Sequence, residues 1–148
     1  RLATAGGWDR SVRVWDLQKG REITLLAGHT AQVTSVSFGP RGRLIASGAW
    51  DETVRLWRTD RGREERRFVT GDRAIRLVSS VAIHPRGRTL ASGEWSGDVR
   101  LWDVAQGGSL GSFSDHEGRV RAVAFSTDGR WLGSADDAGG VCLWRVND

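Results

Sequence analysis

Hydrophobic and polar residues alternate along this chain in short runs, and the runs come in sets. Val33-Thr34-Ser35-Val36-Ser37-Phe38, Val78-Ser79-Ser80-Val81-Ala82-Ile83 and Val120-Arg121-Ala122-Val123-Ala124-Phe125 occupy matching places and are rich in the β-branched and aromatic residues of half-buried strands. Each closes on turn chemistry: Gly39-Pro40-Arg41-Gly42, His84-Pro85-Arg86-Gly87 and Ser126-Thr127-Asp128-Gly129. A second apolar run follows at once, over residues 44–47, 89–92 and 131–134, so the spacing predicts hairpins. After a short polar turn comes a third run that ends in tryptophan: Val12-Arg13-Val14-Trp15, Val54-Arg55-Leu56-Trp57, Val99-Arg100-Leu101-Trp102 and Val141-Cys142-Leu143-Trp144, with tryptophans 42, 45 and 42 residues apart. A fourth, more polar strand is predicted around residues 23–26, 65–69 and 110–113, and no helix is predicted anywhere.

A period in the forties, with four antiparallel strands of which the last is the least hydrophobic, describes one blade of a β-propeller. Such a unit is too short to keep a core dry by itself, so it must stack on its neighbours. The units run approximately over 1–16 (partial), 17–58, 59–103 and 104–145 of a single segment, 1–148. Counting strands, the chain opens at the second strand of one blade and stops after the third strand of the fourth. The expected fold is therefore all-β, a propeller segment of about four blades in an open arc. Length variation is expected in loops, with the longest connection at 59–63 and about three extra residues at 71–75. Gly6-Gly7 adds a residue expected to bulge the first-repeat strand.

With 39% hydrophobic and 27% charged residues, the composition is that of a globular protein, and no apolar run has the length of a membrane-spanning helix. The chain starts at Arg1, contains no Met and is repeat-like from its opening, so neither a start nor a signal peptide is visible. The expectation is a polypeptide that continues at both ends. The competing expectation is that two copies pair into one ring, and in either case the open blade ends favour self-association. The one cysteine, Cys142, excludes an internal disulfide and points to a reducing compartment, the cytoplasm by default, with its side chain expected as a small buried hydrophobe. Net charge is +4, and of the 22 basic residues only Lys19 is lysine. Arg13, Arg55 and Arg100 recur at equivalent places instead of gathering on one face. That pattern reads as amphipathic cover for strand surfaces and argues against nucleic-acid binding.

Trp-Asp stands at Trp15-Asp16 and Trp102-Asp103, while Trp57-Arg58 and Trp144-Arg145 keep the tryptophan. Gly28-His29 has a variant copy in Asp115-His116, Phe125-Ser126-Thr127-Asp128-Gly129-Arg130 forms a further signature, and Leu44-Ile45-Ala46-Ser47-Gly48 precedes Ala49-Trp50-Asp51. Over essentially its whole length the chain resembles the Trp-Asp (WD) repeat family of β-propellers, whose rings commonly close with about seven blades. The resemblance implies a buried line of Trp, Ser or Thr, His and Asp in each blade, complete here as Trp57, Ser47, His29 and Asp51. Partial sets are Thr4, Asp9 and Trp15; Ser92 and Trp102; and His116, Ser134 and Trp144. In the third repeat Ser96 stands at the Asp position and Ala74 in the His register, so that blade is expected to be the least rigid. In the fourth, Ala138 is at the Asp position and Asp137 one residue early.

The resemblance also implies a top face formed by the residues before the turn Asp (Trp8, Trp50, Trp95 and Asp137) and those before the first strand (Thr30, Gln32, Ile75, Leu77, Glu117 and Arg119). Repeated tryptophan there marks it as the candidate surface for a protein or peptide partner. The competing reading makes these rings filler between blades, and Trp131 is read as local packing. His29, Ser47 and Asp51 also invite a catalytic triad, but Ser47 lies mid-strand beneath a tryptophan with no glycine-rich elbow. His84 reads as a surface turn residue without metal-ligand spacing. No catalytic residue, cofactor or metal is expected. The implied function is a non-catalytic interaction scaffold within a larger, bacterial-type multidomain protein; a regulatory or sensor segment and arginine-mediated nucleic-acid binding are the alternatives.

Overall fold

The computed structural model describes residues 1–71 and 77–146, which form fourteen strands in four antiparallel sheets. Blade 1 holds β1 (Leu2–Gly6), β2 (Ser11–Asp16) and β3 (Arg21–Ala27). Blade 2 holds β4 (Val33–Phe38), β5 (Leu44–Ala49), β6 (Thr53–Arg58) and β7 (Arg63–Val69). Blade 3 holds β8 (Val78–Ile83), β9 (Thr89–Glu94), β10 (Val99–Asp103) and β11 (Ser109–Phe113), and blade 4 holds β12 (Val120–Phe125), β13 (Trp131–Asp136) and β14 (Val141–Arg145). Strands pair in sequence order within every sheet; β4, β8 and β12, the innermost strands of blades 2–4, contact one another in succession, and β1, the second strand of its blade, packs on β4 as β5 and β9 pack on β8 and β12. Among the described residues no helix is long and apolar enough to cross a membrane.

The cores lie between blades, because each sheet has two faces and only a neighbour can cover them. Val12, Val14 and Leu26 of blade 1 pack on Val33, Ile45 and Trp57 of blade 2. Val54, Leu56 and Phe68 of blade 2 meet Val78, Val81 and Trp102 of blade 3, and Ala91 and Val99 meet Val120, Val123 and Leu132 of blade 4. Glycines make room for these wedges. A Cβ on Gly48 would lie 2.4 Å from Val78 Cγ1, and one on Gly93 would lie 2.5 Å from Val120 Cγ1. In blade 4 Ala135 holds the matching place, and Gly133, in register with Ala46 and Ala91, faces no side chain closer than 4.0 Å, which leaves an open apolar slot.

Each innermost strand carries a bulge that skips one residue: Thr34 in β4, Ser79 in β8 and Arg121 in β12. The first two use the freedom to tie blades together. Thr34 Oγ1 donates toward Gly48 O of its own blade at 3.0 Å and Val78 O of the next at 2.7 Å, and Ser79 Oγ likewise serves Gly93 O and Val120 O. Ser35, Ser37 and Ser80 accept backbone N–H groups of Val81, Ile83 and Val123 across the same joints.

Three sequence expectations are corrected here. Two short 3-10 turns interrupt the all-strand reading, at Gly7–Asp9 and Pro40–Gly42. The extra residue at Gly6-Gly7 is absorbed by the first of these turns, since β1 pairs with β2 in unbroken register. The connection at 59–62 is not the longest: the one from Phe113 to Val120 between β11 and β12 is longer, and residues 72–76 of the expected insertion lie outside the described residues.

Candidate functional site

Blade 2 contains a continuous buried line of side chains. The Trp57 indole N–H donates to Ser47 Oγ at 2.7 Å, Ser47 Oγ lies 2.7 Å from His29 Nε2, and His29 Nδ1 lies 2.9 Å from Asp51 Oδ2. A carboxylate only accepts, so His29 Nδ1 carries a proton toward Asp51, and Nε2 shares its hydrogen bond with the serine hydroxyl. Asp51 also accepts from the Thr30 backbone N–H at 2.9 Å and from the Thr53 hydroxyl at 2.6 Å. Burial alone pushes the Asp51 carboxyl up; the His29 bond, then those from Thr53 and Thr30, outweigh it and hold the group well below the usual carboxylate range. Ser47 is fully buried with its hydroxyl engaged on both sides.

The other blades vary this theme. In blade 1 the Trp15 indole donates to Thr4 Oγ1 at 3.0 Å, while Asp9 caps the turn by accepting from Ser11 N and Oγ at 3.0 and 2.7 Å. In blade 3 the Trp102 indole reaches Ser92 Oγ at 2.9 Å, and the fully buried Glu94 pairs with Arg100 at 3.3 Å. Ala74, placed in the His register of that blade, lies outside the described residues. Blade 4 corrects the sequence reading twice. Its carboxylate is Asp136, whose Oδ2 lies 2.8 Å from His116 Nδ1, with Ser134 Oγ at the other ring nitrogen. Asp136 is two residues after Ser134 on β13, so the strand's alternation turns both toward the same face, whereas Asp137 and Ala138 lie beyond the strand's end. The Trp144 indole donates to Asp115 Oδ2 at 3.3 Å instead of to Ser134.

On the top face, one backbone hydrogen bond recurs between the registers read from sequence: Trp50 N to Gln32 O, Trp95 N to Leu77 O and Asp137 N to Arg119 O, at 2.9, 3.0 and 3.1 Å. These turns place Trp50 edge-on to Trp95, with ring centroids 5.3 Å apart, and Arg119 over the Trp95 ring at 4.2 Å. Asp137 accepts the Arg119 N–H at 2.8 Å and pairs with Arg121 at 3.4 Å. Gln32, Thr34, Trp50, Ser79, Trp95 and Arg121 border a cleft of about 320 Å³. The structure thus forms a row of Trp50, Trp95 and Arg119 across three blades that combines the two sequence readings, because each ring leans on the next blade while Trp50 stays 36% exposed. Trp8, 88% exposed, stands apart from the row; Thr30 and Glu117 are exposed, and Ile75 lies outside the described residues.

The family model described as "WD domain, G-beta repeat" matches residues 1–16, 20–58, 64–103 and 107–145, the four sheets in turn. The chain belongs to the WD-repeat family. Among curated proteins it is similar to the transcription initiation factor TFIID subunit 5 of Caenorhabditis elegans, 45% identical over 40 residues that make up 27% of this chain. The matched stretch spans 6% of that relative's length.

Within these WD blades the recurring arginines have a role that the sequence reading missed. Arg55 is 3% exposed; its Nη1 donates to Glu64 Oε2 at 2.8 Å and its Nη2 lies 3.5 Å from Asp51. Arg13 makes the same pair of contacts, with Glu22 at 2.8 Å and Asp9 at 3.1 Å. Arg100 instead turns to Glu94. All three are ion-pair members, not passive cover, and Arg13 and Arg55 tie the third strand to its turn and to the outer strand. The signal was present as an acid four residues before and another nine residues after Arg13 and Arg55. Cys142 stands at that position in blade 4, and it is half-buried, not fully enclosed as expected. His84 is likewise not a surface residue. It is 1% exposed, its Nε2–H donates to Gly129 O of the next blade at 2.9 Å, and its Nδ1 accepts the Arg86 N–H at 3.1 Å.

Proposed function

We propose that the chain is a non-catalytic protein–protein interaction scaffold that receives a partner peptide across the Trp50, Trp95 and Arg119 row. The carrying observation is that three blades contribute to one ordered strip of aromatic and cationic surface beside a cleft. Rings held by their neighbours lose little conformational freedom on binding, and half-exposed tryptophan and arginine are the residue types that dominate interface energetics. The serines that align with a histidine and an aspartate, Ser47 and Ser134, are buried within their blades, which supports a structural use of those groups. The relative named as a subunit of an initiation factor supports, by likeness, a role in assembly. A reducing compartment such as the cytoplasm fits the single free cysteine.

Selection of a displayed peptide library against the chain tests this reading. Peptides selected on the native surface lose at least about tenfold in affinity for Trp50→Ala/Trp95→Ala, which equals about 1.4 kcal/mol, with the melting transition unchanged. Selected peptides that bind this variant as tightly as the native chain sink the proposal.

A further inference from the structure

Successive turns of an antiparallel sheet alternate between its two ends, so the turns joining first to second strands lie on the face opposite the tryptophan row. In blades 2 and 3 these turns are identical in sequence, Pro40-Arg41-Gly42-Arg43 and Pro85-Arg86-Gly87-Arg88. They also touch: a Cβ on Gly87, whose φ is +74°, would lie 2.9 Å from Pro40 Cγ. Beside this contact is a cleft of about 650 Å³ into which Arg41, Arg43, Arg58, Arg86 and Arg88 converge.

Pro40, Leu44 and Pro85 supply its apolar lining. Arg58 is held by Asp60 through two hydrogen bonds of 3.0 and 2.8 Å. Arg41, Arg43 and Arg88 are exposed, with no ion pair to a carboxylate among the described residues. In blade 4 the corresponding turn has Asp128 where Arg41 and Arg86 stand, and its carboxylate accepts from the Ser126 hydroxyl and the Arg130 N–H. Among the described turns between first and second strands, the doubled arginines thus occur at the joint between blades 2 and 3.

Guanidinium groups crowded into a concavity repel one another and focus a positive potential there, and an anionic occupant relieves both. Their planar forks match carboxylates in bidentate geometry. No aromatic ring lines the cleft, so it offers bases no stacking surface, and the proline and leucine faces suit an aliphatic side chain. We propose that this cleft docks an acidic peptide segment of a partner protein, with its carboxylates on Arg41, Arg43 and Arg88 and an apolar side chain against Pro40, Leu44 and Pro85. The site is independent of the tryptophan row.

Fluorescence anisotropy with the full chain and a short labelled peptide of alternating glutamate and leucine tests the assignment. Binding is expected, steeply weakened by salt, and reduced at least about tenfold in Arg41→Glu/Arg88→Glu. Trp50→Ala is expected to leave it unchanged, which separates this site from the one on the other face. Where charge reversal lowers the melting temperature, Arg43→Gln/Arg88→Gln replaces it and is expected to weaken binding in the same direction. The proposal is overturned if the native chain fails to bind the peptide, if folded charge variants bind it as the native chain does, or if an oligothymidylate of equal charge binds more tightly, which would assign the cleft to nucleic acid.

Discussion

Asp51 accepts from an imidazole, a hydroxyl and a backbone amide at once, and this is what keeps its carboxyl acidic inside the blade. Because the folded state depresses this group below its unfolded value of about 4, its contribution is fully present above that pH and is lost as pH falls further. Asp51→Asn keeps the volume but removes the charge, at an expected cost of about 2 kcal/mol at neutral pH. Urea titrations of the two proteins should show that gap narrowing below about pH 4, where the Asp51 carboxyl of the unfolded chain takes up a proton while that of the folded chain stays ionised; a constant gap down to pH 2 would contradict the arrangement. At the same scale, Ser79→Ala removes a hydroxyl that serves carbonyls of two blades. The expected loss is about 1 kcal/mol in the denaturation midpoint.

At the level of strands and sheets, the joints rest on size matching between a glycine on one blade and valines on the next. Gly48→Ala is expected to destabilise by roughly 1–3 kcal/mol because its methyl would collide with Val78 and Val81, whereas Gly133→Ala, whose methyl would meet its neighbours only at ordinary contact distances of 3.9–4.0 Å, should change stability by less than about 0.5 kcal/mol. Thermal or chemical melts of both variants check the contrast. The strand order and blade count were legible in the sequence because alternation, turn residues and the tryptophan period all carry the same register. Details that depend on a partner blade were not. The burial of His84 is decided by Gly129, which lies 45 positions along the chain, and no local pattern announces it. The choice of Asp136 over Asp137 depends on where β13 ends, a matter of one residue that composition does not mark. The bulges at Thr34 and Ser79 had a faint signal, a hydroxyl residue at the same place in two first strands, with meaning only once the neighbouring carbonyls are in view. On the candidate binding face, residue identity was legible, but the edge-on Trp50 and Trp95 pair required the spacing between blades.

Across the whole molecule, chemistry separates by face: aromatic rings at one end of the sheets and clustered arginines at the other. A third surface is the uncovered side of blade 4, where Val141 and Leu143 are 79% and 64% exposed around the open slot at Gly133. The 148-residue chain is expected to associate with itself through this side in a concentration-dependent way. Val141→Lys/Leu143→Lys should shift sedimentation toward the monomer, and an unaltered profile would show that association uses another surface.

In blades 2 and 3 the glycine recess and the inner-strand valines occupy opposite sides of the sheet, which gives the array a direction. A sector can be appended only with its prongs leading toward a vacant recess, and two recesses brought face to face have nothing to insert. Order along the arc is thereby tied to orientation, and reversing a single sector would break the joints on both of its sides.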